Sequence, residues 1–138
     1  MAAKVRYLVD TNVWLERLLD QDKSEIVSKF LNTIPVNQLF ISDFAVHSIG
    51  VILSKLKKLD TLRMFLYDLF INGQIELLTL EPHDLIDVTN NIKKHNLDFD
   101  DSYQFTVAEK YALTLVTFDK DFKVIGLKRK TPQDIIGK

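Results

Sequence analysis

Short runs of Val, Ile, Leu, Phe and Tyr alternate along the chain with longer segments whose apolar residues recur at helical spacing. That alternation predicts an α/β domain: a three-layer sandwich with a mostly parallel central sheet of four to five strands flanked by helices. The strands are expected at residues 5–9, 38–41, 75–79 and 112–117, with a short edge strand at 124–125. After the first strand, Thr11 or Asn12 can cap a helix from about Val13 to Leu19. Ile26, Val27, Phe30, Leu31 and Ile34 mark an amphipathic helix that ends before Pro35. Ser42 is the expected N-cap of a helix bearing Phe44, Val46, Ile49, Ile52, Leu53 and Leu56. The next helix carries Leu62, Phe65, Leu66 and Leu69 and stops at Asn72-Gly73. Pro82 is expected at the first position of the helix with Leu85, Ile86, Thr89 and Ile92. Asp101 is expected to start a helix through Tyr103, Phe105, Val107, Ala108 and Tyr111. A single helical turn is expected over residues 118–122, and a last helix is capped by Thr131 with Pro132 behind it.

The 4 glycines and 3 prolines are too few and scattered to mark a linker, and no repeat is visible. Residues 1–138 therefore read as a single domain, long enough for a sizeable core. With 46% hydrophobic and 27% charged residues the chain sits near globular averages, which excludes disordered and fibrous classes. A net charge of -1 excludes a globally basic nucleic-acid binder but leaves room for a local basic patch. No cysteine is present, which removes disulfide scaffolds, thiolate zinc sites and Cys nucleophiles, and suits a reducing cytoplasm. The apolar runs are too short to span a bilayer, and no signal-peptide core follows the first residues, so no membrane partner is expected. Carboxylates, hydroxyls, amides and 3 histidines are left to carry any chemistry.

Asp10 follows the first strand and Asp119 follows the late buried strand, and in open parallel sheets ligands bind beyond the carboxyl ends of strands. Asp101, at the start of the helix feeding that late strand, can approach the same place. Three converging carboxylates repel and raise one another's pKa unless a cation neutralises them, and a hard ion such as Mg²⁺ or Mn²⁺ suits oxygen ligands. Such a cation lowers the pKa of a bound water and neutralises a phosphodiester in transit. Asn12 and Thr117 would flank the cluster and orient a carboxylate or a water without adding charge. A bland alternative stands beside this: Asp-Thr-Asn after a strand offers three helix-capping residues in a row.

The chain resembles the PIN domain family, and within it the small prokaryotic toxin ribonucleases of the VapC type. The residues that carry the resemblance are Tyr7-Leu8-Val9-Asp10-Thr11-Asn12, Phe40-Ile41-Ser42, Leu97-Asp98-Phe99-Asp100-Asp101-Ser102-Tyr103, Leu115-Val116-Thr117-Phe118-Asp119-Lys120-Asp121-Phe122 and Thr131-Pro132. The resemblance implies a metal-dependent endoribonuclease (Mg²⁺ or Mn²⁺) acting on RNA, frequent dimerisation and, for toxins, a small antitoxin partner. It carries the family's first, third and fourth acids onto Asp10, Asp101 and Asp119, and its neutral polar positions onto Asn12 and Thr117. One position departs: the family's usual Glu in the helix after the second strand falls on Ser48 or, one residue off, on His47. Neither is a hard anionic ligand, and Asp43 lies more than a helical turn earlier. Three acids can still hold one hydrated Mg²⁺, which keeps several waters in any case.

His47 reads as a partly buried, hydrogen-bonded residue, His83 and His95 as exposed, and Trp14 as core or interface packing rather than a base-stacking residue. Lys120, Lys123, Lys128, Arg129 and Lys130 form the basic cluster nearer the acids, with Lys120, Lys123 and Arg129 the candidate phosphate contacts. Lys55, Lys57, Lys58 and Arg63 form a second basic cluster. A receiver domain would want an acidic pair after the first strand, and a haloacid-dehalogenase-type phosphatase would want Asp-x-Asp, where this chain has Asn12. The strongest rival is a PIN-like module that has lost catalysis and binds RNA or protein, supported by the missing Glu. The helices over residues 42–70 carry more apolar residues than one face requires, which suits a homodimer.

Overall fold

In each strand alternate side chains point to opposite faces, and here both faces are apolar, as a sheet covered on two sides demands. The computed structural model describes residues 4–119, 122 and 128–137. Among them β1 (Tyr7–Val9), β2 (Leu39–Ser42), β3 (Glu76–Leu78), β4 (Thr114–Val116) and β5 (Arg129–Lys130) form one sheet ordered β3-β2-β1-β4-β5. All four neighbouring pairs are parallel. The helices are α1 (Thr11–Leu18), α2 (Ser24–Thr33), α3 (Asp43–Lys55), α4 (Leu59–Leu66), α5 (Asp84–His95), α6 (Phe99–Tyr111) and α7 (Pro132–Ile136). No helix among the described residues is long and apolar enough to cross a membrane.

Tyr7, Val9, Leu39, Ile41 and Val116 face one layer, where they meet Val13, Trp14, Phe30, Ile49, Leu53 and Phe65 from α1 to α4. Leu8, Phe40, Leu78 and Leu115 face the other, against Val88 of α5 and Tyr103, Phe105 and Val107 of α6. Trp14 is in the first core as expected; its indole N–H donates to the Val9 carbonyl at 3.1 Å and its ring meets Phe65 edge-on at 5.5 Å. From β1 the chain steps outward through β2 to β3, then crosses back to place β4 on the other side of β1. The order of strands therefore reverses between β1 and β4, whose carboxyl ends lie side by side there.

Several boundaries differ from the sequence expectation for local reasons. Asp10, not Thr11 or Asn12, caps α1: its carboxylate accepts the Thr11 N–H while its own N–H donates to the Val116 carbonyl at 2.9 Å. Ser42 caps α3 as expected, accepting the Ala45 N–H at 3.0 Å. α4 gives way to a π-helical segment, Tyr67–Asn72, which ends at Gly73. A Cβ at Gly73 would lie 2.6 Å from the Asp68 carbonyl oxygen, so only glycine fits this stop. Pro82 is not the first residue of a helix. It lies in the turn before α5, where Asp84 takes over by accepting the Glu81 N–H at 2.8 Å and the Lys110 ammonium at 2.6 Å. Asp101 does not start α6 but sits in its first turn, because Asp98 is the cap and accepts the Asp101 N–H at 3.2 Å. Thr131 and Asp134 close a reciprocal capping box on α7 with Pro132 at its first position, as expected. Phe118 lies in a bend and Asp119 in irregular backbone; the rest of the expected turn, apart from Phe122, and the expected strand at 124–125 lie outside the described residues.

The two-sided core makes a quantitative prediction. Leu115→Ala, at a fully buried position in β4, should lower the unfolding free energy by about 2–5 kcal/mol in urea denaturation. Ile86→Ala on α5, where the side chain is 62% exposed, should change it by no more than about 0.5 kcal/mol.

Candidate active site

The turn after β1 and the turn after β4 lie side by side because their strands pair directly, Val9 opposite Val116. That register brings Asp10, Asn12 and Thr117 together across more than 100 residues of sequence. The Thr117 hydroxyl donates to Asp10 Oδ2 at 2.9 Å, and the Asn12 side-chain amide donates to the Thr117 oxygen at 3.0 Å. The same threonine oxygen accepts the Asp119 N–H at 3.1 Å, while Asn12 Oδ1 accepts the Phe118 N–H at 3.1 Å. The neutral pair thus ties both turns to one carboxylate and fixes the backbone at Asp119.

Asp10 has a further partner that the sequence reading did not single out. Gln104 of α6 donates to Asp10 Oδ1 at 3.0 Å, and its own amide oxygen accepts the Ser42 hydroxyl at 2.6 Å. Ser42 and Gln104 are both buried. A relay therefore runs from the cap of α3 through Gln104 to Asp10. One signal could have found it: Gln104 stands three residues after Asp101, one helical turn along the same face.

The crevice beside these groups has a volume of about 280 Å³, and Asp10, Asn12, Phe44, Ser48, Asp101 and Gln104 are among its walls. Burial pushes the Asp10 pKa above its ordinary value, against the hydrogen bonds from Gln104, Thr117 and Thr11 that favour the anion. Asp101 is pushed up to about 7, first by burial and then by the negative charges of Asp98, Asp119 and Asp10. Asp10, Asp101 and Asp119 thus share one electrostatic field.

Oxygen donors alone, from carboxylates, hydroxyls and amides, are the chemistry that a hard divalent cation selects. Among the described residues, however, no three acids or histidines stand close enough to chelate an ion as arranged. Ser48, at the position expected to lack the usual Glu, does reach the crevice. His47 is exposed rather than partly buried as expected, since it falls on the outer face of α3. Asp43 faces elsewhere: its Oδ1 accepts the Tyr103 hydroxyl and the Phe44 N–H, each at 2.8 Å. Arg129 is near the acids, its Nε donating to the Asp119 carbonyl at 2.8 Å, whereas Lys120 and Lys123 lie outside the described residues. His83 is exposed as expected, but His95 is half-buried, with its ring edge-on to Phe105 at 5.1 Å.

Solved structures share this architecture. VapC20 of Mycobacterium tuberculosis, described as a sarcin-ricin loop cleaving toxin, superposes with a TM-score of 0.73 at 15% identity, over 88% of this chain and 95% of that one. A toxin-antitoxin complex from Klebsiella pneumoniae gives 0.72 at 21% identity, over 91% and 97%. FitAcB from Neisseria gonorrhoeae gives 0.71 at 24% identity, again over 91% and 97%. At these identities the likeness is one of fold. No curated protein matches the chain in sequence. The PIN domain family model, by contrast, matches residues 7–128, spanning β1 to β4, the relay and all three acids, and the chain belongs to the PIN domain family.

Proposed function

We propose that this protein is a divalent-cation-dependent endoribonuclease, with Asp10, Asp101 and Asp119 as its catalytic and metal-holding acids. The observation that carries the reading is the Asp101 pKa near 7, raised in part by Asp119 and Asp10 in a crevice at the strand-order reversal. Carboxylates held together in this way store repulsion that a cation relieves. Bound there, Mg²⁺ or Mn²⁺ would lower the pKa of a coordinated water and neutralise charge on the phosphodiester. The chain's own groups do the rest. Gln104 and Thr117 hold Asp10 in one orientation, and Asp101, whose pKa is about 7 without a cation, would give up its proton where one binds. Asn12, Thr117 and Ser48 line or brace the crevice as neutral groups. Arg129, with Lys120 and Lys123 in the adjoining segment, supplies cations for the RNA backbone.

Membership of the PIN family and the named toxins among the fold's relatives support a place in a toxin-antitoxin pair, with a small antitoxin protein as partner. The exposed Val51, Leu56, Leu59, Met64 and Tyr67 suit a homodimer as the working unit. A cytoplasmic location fits such a role. A second reading, a PIN domain that binds RNA or protein without cleaving, is favoured by one observation: Ser48 stands in the crevice where the family usually has Glu.

Three outcomes are expected. Purified protein should cleave single-stranded RNA with Mn²⁺ and stop in chelator, and Asp10→Asn should lower the rate at least about 100-fold on a denaturing gel. Cleavage by neither protein on several RNAs would favour the binding module. In chelator, stability should fall as pH rises from about 4 to 7, because the folded state holds the Asp101 proton to about 7 while the unfolded chain releases it near 3.8. Asp101→Asn should flatten that part of the melting-temperature profile, and Mg²⁺ should raise the melting temperature more at neutral than at acidic pH. Expression of the protein should arrest growth, and co-expression of a small neighbouring gene product should relieve the arrest; unimpeded growth at full expression argues against a toxin.

A further inference from the structure

Of the nine phenylalanines, only Phe99 is exposed, with 48% of its surface open. It is the first residue of α6, immediately before Asp100 and Asp101, both of which line the crevice. Its ring centroid lies 6.2 Å from that of Phe44, itself a crevice wall, and 6.1 Å from that of Tyr103. Phe44 and Tyr103 pack at 5.2 Å. Asp43 locks the pair by accepting from the Tyr103 hydroxyl and the Phe44 N–H, so the three rings form a rigid group joining α3 to α6 at the rim of the acid crevice. Leaving a phenylalanine half open costs hydrophobic free energy that burial would recover.

The chemistry of the surroundings selects what can cover that ring. Asp98 precedes it and Asp100 and Asp101 follow it in the chain, so the ring itself favours a neutral, flat, polarisable group, and a phosphate fits only where a cation in the crevice offsets the acids. The open part is about half of one ring, whose chain neighbours Asp98 and Asp100 are exposed. That is far below the roughly 800 Å² per partner of a stable protein contact, but it matches a single nucleobase. We propose that Phe99, backed by Phe44 and Tyr103, is a stacking platform for one unpaired base of a single-stranded RNA whose backbone enters the crevice beside Asp10. The proposal rests on the nuclease reading of that crevice and adds how the substrate is positioned there. Stacking tolerates any base, so the platform favours unpaired RNA without reading its sequence. A base in a duplex, stacked on both sides, cannot use it.

The test uses the Asp10→Asn protein, which should hold RNA without cutting it, with Mg²⁺ and two probes: a fluorescein-labelled single-stranded RNA 10-mer and an abasic oligomer of equal length. Phe99→Leu, which keeps apolar bulk but removes the ring, should weaken RNA binding about 5- to 100-fold and leave abasic binding unchanged. Phe99→Trp should keep the affinity, and its added emission should be quenched by the RNA but not by the abasic oligomer. Equal RNA binding by Phe99→Leu and its parent would overturn the platform alone and leave the ring to a protein contact. Equal loss for both probes would also overturn it, since the ring would then only support the fold. No RNA binding by either the parent or the unsubstituted protein would overturn the nuclease reading and the platform with it.

Discussion

The Asp10 carboxylate accepts hydrogen bonds from the Thr11 N–H at the start of α1, the Gln104 amide of α6 and the Thr117 hydroxyl after β4, and the arrangement of the crevice follows from that convergence. Each bond fastens a different element to the end of β1. The Asp10 N–H adds a fourth tie, to Val116 of β4. One residue therefore caps a helix, extends the β1–β4 ladder and presents a carboxylate, all within the turn after a strand. A capping role and a chemical role need not compete, because Oδ2 carries the bond to Thr117 while Oδ1 takes the capping and Gln104 bonds. Each carboxylate oxygen has two acceptor sites, and the site on Oδ2 not used by Thr117 keeps capacity for a further ligand.

Electrostatics at this point work against the fold. Asp98 and Asp119 add charge to Asp101, which is held near pKa 7, and Asp10 is itself raised. Neutral donors hold Asp10: Gln104 and Thr117 orient its carboxylate without cancelling its charge, and Asn12 braces Thr117. Elsewhere the protein does cancel buried charge directly, as where Lys110 meets Asp84 between α6 and α5 at 2.6 Å. The contrast sets Asp10 apart: its carboxylate is held by neutral hydrogen bonds, whereas Asp84 is held by a lysine. Ser48 adds a neutral wall to the same crevice.

The acids at the strand ends were legible in the sequence because strand ends and helix starts have local signatures. Asp10 follows Tyr7-Leu8-Val9, and Asp119 follows Leu115-Val116-Thr117-Phe118. The position of Asp101 within α6 was read two residues off, since Asp98 and Asp101 are both acids three apart and only the backbone shows which one caps. Pro82 misled for a similar reason: proline favours a first helical position, yet the carboxylate of Asp84 supplied a better start by capturing the Glu81 N–H. His47 was misjudged because α3 is apolar on most of its circumference, so periodicity alone did not say which narrow strip stays in water.

By itself the sequence determined the α/β class, the parallel sheet with apolar strands on both faces, and the candidate acids with their neutral neighbours. These follow from residues a few positions apart, where strand and helix periods act. Tertiary structure alone decided the strand order, which seats β1 beside β4, and the crevice that the end of β1 forms with α1, α3 and α6. It also decided the Ser42–Gln104–Asp10 relay, whose partners are 62 and 94 residues apart, and the ring group of Phe44, Phe99 and Tyr103. No local pattern encodes such pairs. They exist because two layers of helices must cover a twisted sheet, and the packing that buries α3 and α6 against it brings their first turns together.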